Sequence, residues 1–180
     1  MRQGEVYENP VTKERMEVLA ASADRLEIDF RVGPGGAVPL EHMHPGFSEA
    51  FTVRSGQITL RLDGKERVAN PGERHVVEPG VRHAWWNAGD EEVRILGEIV
   101  PPGRFGEMIG TMFQLARDGE TDELGRPGLL QIALTAREFE DTVRITKPPM
   151  AVQRVLFALL APIARLRGKQ AIRPYRHAAG

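Results

Sequence analysis

From Glu5 to about Pro102 the chain alternates apolar and polar residues with period two, and turns interrupt the pattern often. Leu26, Ile28, Phe30 and Val32 interleave with Arg25, Glu27, Asp29 and Arg31, which predicts a strand with one buried face. Ile58, Leu60 and Leu62 repeat the pattern ahead of Asp63-Gly64, a hairpin-turn pair. Val93, Ile95 and Ile99 give another strand after the turn Asn87-Ala88-Gly89-Asp90. Turn signals at Gly33-Pro34-Gly35-Gly36, Pro45-Gly46, Ser55-Gly56, Asp63-Gly64, Pro71-Gly72 and Pro79-Gly80 recur every 7–11 residues. Strands of that length and spacing predict an antiparallel sandwich or barrel.

The period changes after Pro101-Pro102-Gly103. Phe105, Met108, Ile109, Met112, Phe113 and Ala116 lie on one face of a helix that should end near Gly119. A second helix is expected from Pro127, a good first-turn residue, to about Asp141. Pro148-Pro149 breaks the chain, and a third helix is expected from Met150 to Arg167, kinked by Pro162. The expected organisation is a β-domain over 1–103 and a helical extension over 104–180, packed on the barrel or on a dimer partner.

Composition narrows the class. Apolar types make up 41% and charged types 27%, the profile of a soluble globular protein. The 19 Gly and 13 Pro exceed the usual share of about 12% of residues, in keeping with many turns. The absence of cysteine excludes disulfides, thiolate nucleophiles, iron–sulfur clusters and all-Cys zinc sites. No export signal is read at the N-terminus, and the longest apolar-rich run, Val155 to Leu166, has 12 residues, too few for a bilayer. A cytoplasmic location is expected.

The net charge of −1 argues against a nucleic-acid-coating protein, but it conceals an asymmetry. Residues 147–180 carry seven Lys or Arg and no Asp or Glu, leaving 17 basic against 25 acidic side chains in the rest. The expectation is that this basic tail docks on the acidic body, its own or that of a homodimer partner. Adsorption of the tail to an anionic membrane surface is the weaker reading.

The chemistry concentrates in a histidine cluster. His42 and His44, two positions apart, share one face of a strand. Glu49 follows beyond Pro45-Gly46, and His83 lies one or two strands further on. Imidazole and carboxylate together suit a divalent first-row metal (Fe, Mn, Co, Ni, Cu or Zn), whereas Ca and Mg prefer oxygen alone. Strand parity from Glu49 turns Phe47, Phe51 and Val53 inward, and parity from His83 turns Trp85 inward and Trp86 outward. These side chains, with His75, are the candidate lining of a substrate pocket, although core filling and a structural His75 are the simpler readings.

Two spaced motifs carry a family resemblance. Gly36, His42-Met43-His44, Glu49 and Gly56 resemble the first motif of the cupin superfamily, and Gly72, Glu78-Pro79-Gly80, His83 and Asn87 resemble the second. Only 15 residues separate them, and Glu78 stands where the second motif usually has proline. The resemblance implies a double-stranded β-helix (jelly-roll) barrel, mainly β, followed here by about three C-terminal helices. It implies one metal ion held by His42, His44, Glu49 and His83. The first functional expectation is a metal-dependent enzyme acting on a small organic molecule. Dioxygenase-type oxidation ranks ahead of lyase or isomerase chemistry, and Glu49 is a candidate base. The alternative is a non-catalytic cupin that binds or senses a small molecule.

Overall fold

The computed structural model describes residues 1–38 and 40–177; residues 178–180, the end of the expected helical extension, lie outside it. Ten strands precede the first helix: β1 (Val6–Asn9), β2 (Glu14–Ala21), β3 (Leu26–Val32), β4 (His42–Met43), β5 (Ser48–Ser55), β6 (Ile58–Leu62), β7 (Lys65–Ala69), β8 (Arg74–Val77), β9 (His83–Trp86) and β10 (Val93–Val100). Helices α1 (Phe105–Arg117) and α2 (Leu129–Glu138), a short strand β11 (Arg144–Ile145) and α3 (Met150–Leu166) follow.

Two antiparallel sheets face each other. One runs β1-β2-β3-β10-β5-β8 and the other β11-β4-β9-β6-β7, the jelly-roll arrangement expected. Their inner faces carry the apolar phase of the alternation. Ile28, Phe30, Val32, Val53, Ile58, Leu60, Ile95 and Ile99 are all buried in one continuous core. The motif glycine Gly36 is required by close approach: a β-carbon there would lie 2.6 Å from the Thr12 carbonyl oxygen and 2.7 Å from Val32.

The helices depart from expectation in detail. α2 starts later than Pro127 because Pro127 pairs with Thr121 in an isolated bridge, and Gly128, in extended conformation, becomes the N-cap. It ends at Glu138, before the expected Asp141, where Phe139 turns inward and its carbonyl accepts from the backbone N–H of Thr142 and Val143. α3 continues through Pro162; the helical partner that proline forgoes is the carbonyl of Ala158, which sits on the exposed face. Among the described residues no helix is long and apolar enough to cross a membrane.

The last third does more than coat the barrel. β11 extends the five-stranded sheet, with Ile145 opposite His42. α1 lays Phe105, Met108 and Phe113 into the core, and α2 packs against α3 through Leu134, Ala161 and Ala164. The segment after α3 returns to the acidic body of its own chain. Lys169 and Arg173 pair with Glu120, Arg176 pairs with Asp118, and Tyr175 stacks at 4.7 Å on Tyr7.

Candidate metal centre

A two-residue strand and its neighbours assemble the histidines. In β4, His42 stands opposite Ile145 of β11 on one side and His83 of β9 on the other. His44 follows two positions later, so its ring returns to the same side. Ring centroids lie 4.9 Å apart for His42 and His44, 4.3 Å for His42 and His83, and 5.0 Å for His44 and His83. The three rings can offer nitrogens that all lie within 4.8 Å of one another. Glu49 reaches them from β5 in the opposite sheet, its Oε2 3.6 Å from His44 Nε2 and 3.3 Å from His83 Nε2.

The backbone sets which nitrogen faces inward. Nδ1 of His42 lies 2.9 Å from the Leu40 carbonyl, Nδ1 of His44 2.9 Å from that of Thr142, and Nδ1 of His83 3.0 Å from that of Val81. A carbonyl only accepts, so each Nδ1 carries a proton and donates it, and each neutral ring presents Nε2 as a lone pair. Nε2 of His83 is fully buried with no hydrogen-bond partner. An orphaned buried nitrogen is costly, and a cation at the point of convergence would satisfy it together with its neighbours. The residues present therefore fit a divalent transition metal.

Electrostatics agree. Burial, with the neighbouring His83 and His44, pushes His42 down to about 3, so it is neutral at ordinary pH. Burial alone would raise Glu49, but the neighbouring His44 and His83 outweigh it and hold the carboxyl well below the usual range. Burial likewise opposes charge on His83, yet the adjacent Glu49 raises it overall. The centre thus favours positive charge beside Glu49, the place a cation would take.

His42, His44 and Glu49 face a cavity of about 150 Å³ whose wall is mostly apolar, and His83 is buried behind them. Of the side chains expected to line it, Phe51 and Trp85 do. Phe47, Val53 and His75 lie outside the lining. Phe47 is buried behind the centre and stacks on His44 at 4.2 Å. Val53 sits further along β5, opposite Ile95 and inside the packed end of the barrel. His75 does share a sheet face with Phe51, but β8 is the edge strand, and its ring ends 3.5 Å from Glu73 at the rim. Trp86 turns outward, as parity requires, under the guanidinium of Arg61. Asn87 is structural: its amide donates to the carbonyls of Val32 and Glu91.

Other lining residues escaped the sequence reading. Met108, Ile109, Met112 and Phe113 of α1 close one side of the cavity, and Ile132, Val143 and Ile145 contribute from the segment beyond. Their helical periodicity was legible, but not which surface it would cover. Asn9 and Glu14 also line the cavity and are buried. The available signal was parity: Glu14 is in phase with the buried Met16 and Val18 of β2. Burial, opposed by a hydrogen bond from Thr12 and reinforced by the charge of Glu49, raises Glu14 to about 8.

Comparison with known proteins agrees with this architecture. Residues 28–97 match the Cupin domain family. A solved RmlC-like cupin from Shewanella frigidimarina superposes with a TM-score of 0.51 and 18% identity, covering 58% of this chain and 89% of that one. KdgF from a Halomonas species gives 0.48 at 16% identity, over 53% of this chain and 84% of its own. An oxidoreductase of Arthrobotrys oligospora is 38% identical over 52 residues, which is 28% of this chain and 21% of that protein. The match thus spans about a fifth of the length of that relative. Both motifs and all three clustered histidines fall inside the matched region, so the barrel of this chain carries a segment that matches the Cupin domain family.

Proposed function

We propose that the chain is a metal-dependent enzyme acting on a small, largely apolar organic molecule, with dioxygenase-type oxidation as the leading reaction class. The observation that carries this reading is a cluster of three histidines, each with Nδ1 held by a backbone carbonyl, at a mostly apolar cavity that His42 and His44 line. His42, His44 and His83 would hold the metal through Nε2, and Glu49 would supply the anionic donor. A bound transition metal would supply a template for substrate and, if redox-active, electron transfer to dioxygen; if redox-inert, it would supply Lewis acidity for isomerase or lyase chemistry.

The chain's own residues have defined parts. The carbonyls of Leu40, Val81 and Thr142 orient the imidazoles, Phe47 backs His44, and Trp85 with α1 excludes water from the cavity. A carboxylate held as low as Glu49 takes up a proton poorly, so its part here is to ligate rather than to act as base. That same feature favours the second reading, a small-molecule-binding or sensing cupin without turnover. The homodimer and the cytoplasmic location expected from the sequence belong to the same proposal, as does the division at about residue 103.

Elemental analysis of the purified chain, followed by oxygen uptake with catechols, diketones and flavonols after Fe(II) loading, tests the reading. A single transition-metal ion per chain and substrate-dependent uptake are expected. Metal-free protein that neither binds added metal nor gains thermal stability from it would overturn the metal reading. Metal binding with ligand-dependent melting shifts but no turnover would move the assignment to the sensor.

A further inference from the structure

The cavity has a second polar corner that the metal centre does not use. Asn9 ends β1 and Glu14 begins β2, and the two stand directly opposite each other in the ladder, so their side chains share a face. Their residues are only 5% and 7% exposed, and both line the cavity. Asn9 Oδ1 accepts the backbone N–H of Val11 and Thr12, which fixes the connecting turn. The Thr12 hydroxyl donates to Glu14 Oε2. Among the described residues, no hydrogen bond engages Asn9 Nδ2 or Glu14 Oε1. Both residues line the cavity.

The corner is built by other strands than the histidines: Asn9 and Glu14 stand on β1 and β2 of the six-stranded sheet, His42 and His83 on β4 and β9 of the other. Ile28, Phe30 and Phe51 line the same cavity with apolar side chains. A cavity of about 150 Å³ is the size that accepts a benzene-sized group. Within a site this apolar, a fixed amide donor beside a carboxyl oxygen is the kind of polar pair that orients a ligand.

We propose that Asn9 and Glu14 form a metal-independent anchoring point for a ring-sized, uncharged ligand. The anchor takes the ligand's carbonyl or hydroxyl oxygen and so fixes which end points to the histidines. An anionic head group is disfavoured there, because Glu49 and the carboxyl of Glu14 share the same low-dielectric space. The proposal deepens the small-molecule reading of this cavity and rests on it for the ligand's size and apolar character, not for the metal.

The test uses phenol and cyclohexanone against benzene and cyclohexane, each titrated into the full chain before and after chelator treatment. Asn9→Ala and Glu14→Leu are the variants, with circular dichroism to confirm folding. The oxygen-bearing probes should bind about tenfold more tightly than their hydrocarbon counterparts, the ratio expected from one good hydrogen bond. That preference should survive chelation and fall to within about twofold in either folded variant, while hydrocarbon binding is kept. Should Glu14→Leu fail to fold, Glu14→Gln, which retains a hydrogen-bonding head of the same size, should fold and keep most of the preference. Equal binding of the two probe classes by the wild-type chain, or a preference unchanged in Asn9→Ala, would overturn the anchor. Loss of the preference on chelation alone would instead assign it to the metal centre and also overturn the anchor. A chain that binds no metal but keeps the preference would remove the metal reading and leave the anchor standing.

Discussion

The backbone carbonyl of Thr142 holds Nδ1 of His44 at 2.9 Å across 98 positions of sequence. One of the clustered histidines is thus oriented by the segment that follows the barrel. His42 is flanked by the same segment, through its register with Ile145. A chain ending at Gly103 keeps both motifs but loses these supports. Its metal affinity should fall by roughly 10- to 100-fold relative to the full chain, as measured by competition with a chelator of known affinity. Equal affinities would show that the extension has no part in orienting the ligands.

Removing a ring from the cluster should remove the metal. His42→Ala and His83→Ala should purify with little or no transition metal, and chelation should no longer lower their melting temperature. In the wild-type chain chelation should lower it, because ligand binding to the native state alone is stabilising. Metal content unchanged in both variants would place any bound ion elsewhere.

Stability should fall as pH rises, and Glu14 should account for part of the slope. Its carboxyl titrates near the ordinary value of 4.5 when unfolded and near 8 in the folded chain. Between those values the folded state binds the extra proton, so the unfolding free energy declines with increasing pH and levels off above the folded value. The full span is of order 5 kcal/mol. Urea titrations at pH 5, 7 and 9 on wild type and Glu14→Gln would read it as a pH-dependent difference, since the glutamine does not titrate. Parallel curves for the two proteins would count against a raised carboxyl.

Phe47 couples packing to the centre. It is buried, stacks on His44 at 4.2 Å and meets Phe105 edge-on at 5.8 Å. Phe47→Ala should cost about 3–5 kcal/mol in stability by leaving a cavity. It should also loosen His44, so metal affinity should fall even where the variant is folded. Retained affinity in a destabilised variant would reduce Phe47 to core filling.

The tail offers a milder test. Glu120 accepts both Lys169 and Arg173 and is partly exposed. Glu120→Gln should cost less than about 1 kcal/mol, yet speed amide exchange over residues 169–177, with the difference shrinking at high salt. Exchange that is unchanged would mean that the apolar contacts of Tyr175 with Tyr7 suffice.

Much of the barrel was legible because strand alternation and side-chain burial have the same period. The strands from Leu26, Ile58 and Val93 begin where the alternation begins. His42 and His44 are legible for a related reason: two-residue spacing survives as one face of a strand wherever the strand lies, while His83 is legible only through the second motif. Glu14 was not legible, since a glutamate in phase with apolar neighbours reads locally as a surface residue at a strand's start. Its burial depends on a cavity completed by α1. The sequence favours a start of α2 at Pro127, which suits a first helical turn, but the bridge of Pro127 to Thr121 is a tertiary choice. The basic tail pairs with Glu120 and Asp118 of its own chain, contacts that a charge asymmetry spread over many residues favours.

β11 has a consequence for the order of events in the cell. A ribosome releases both motifs well before it releases Thr142 and Ile145. During that interval β4 has β9 as a neighbour but lacks β11, and His44 lacks the carbonyl that orients its ring. The nascent barrel therefore holds all four candidate donors before the carbonyl that orients His44 exists. Docking of Thr142 and Ile145 adds that support only once the chain beyond α2 has been made.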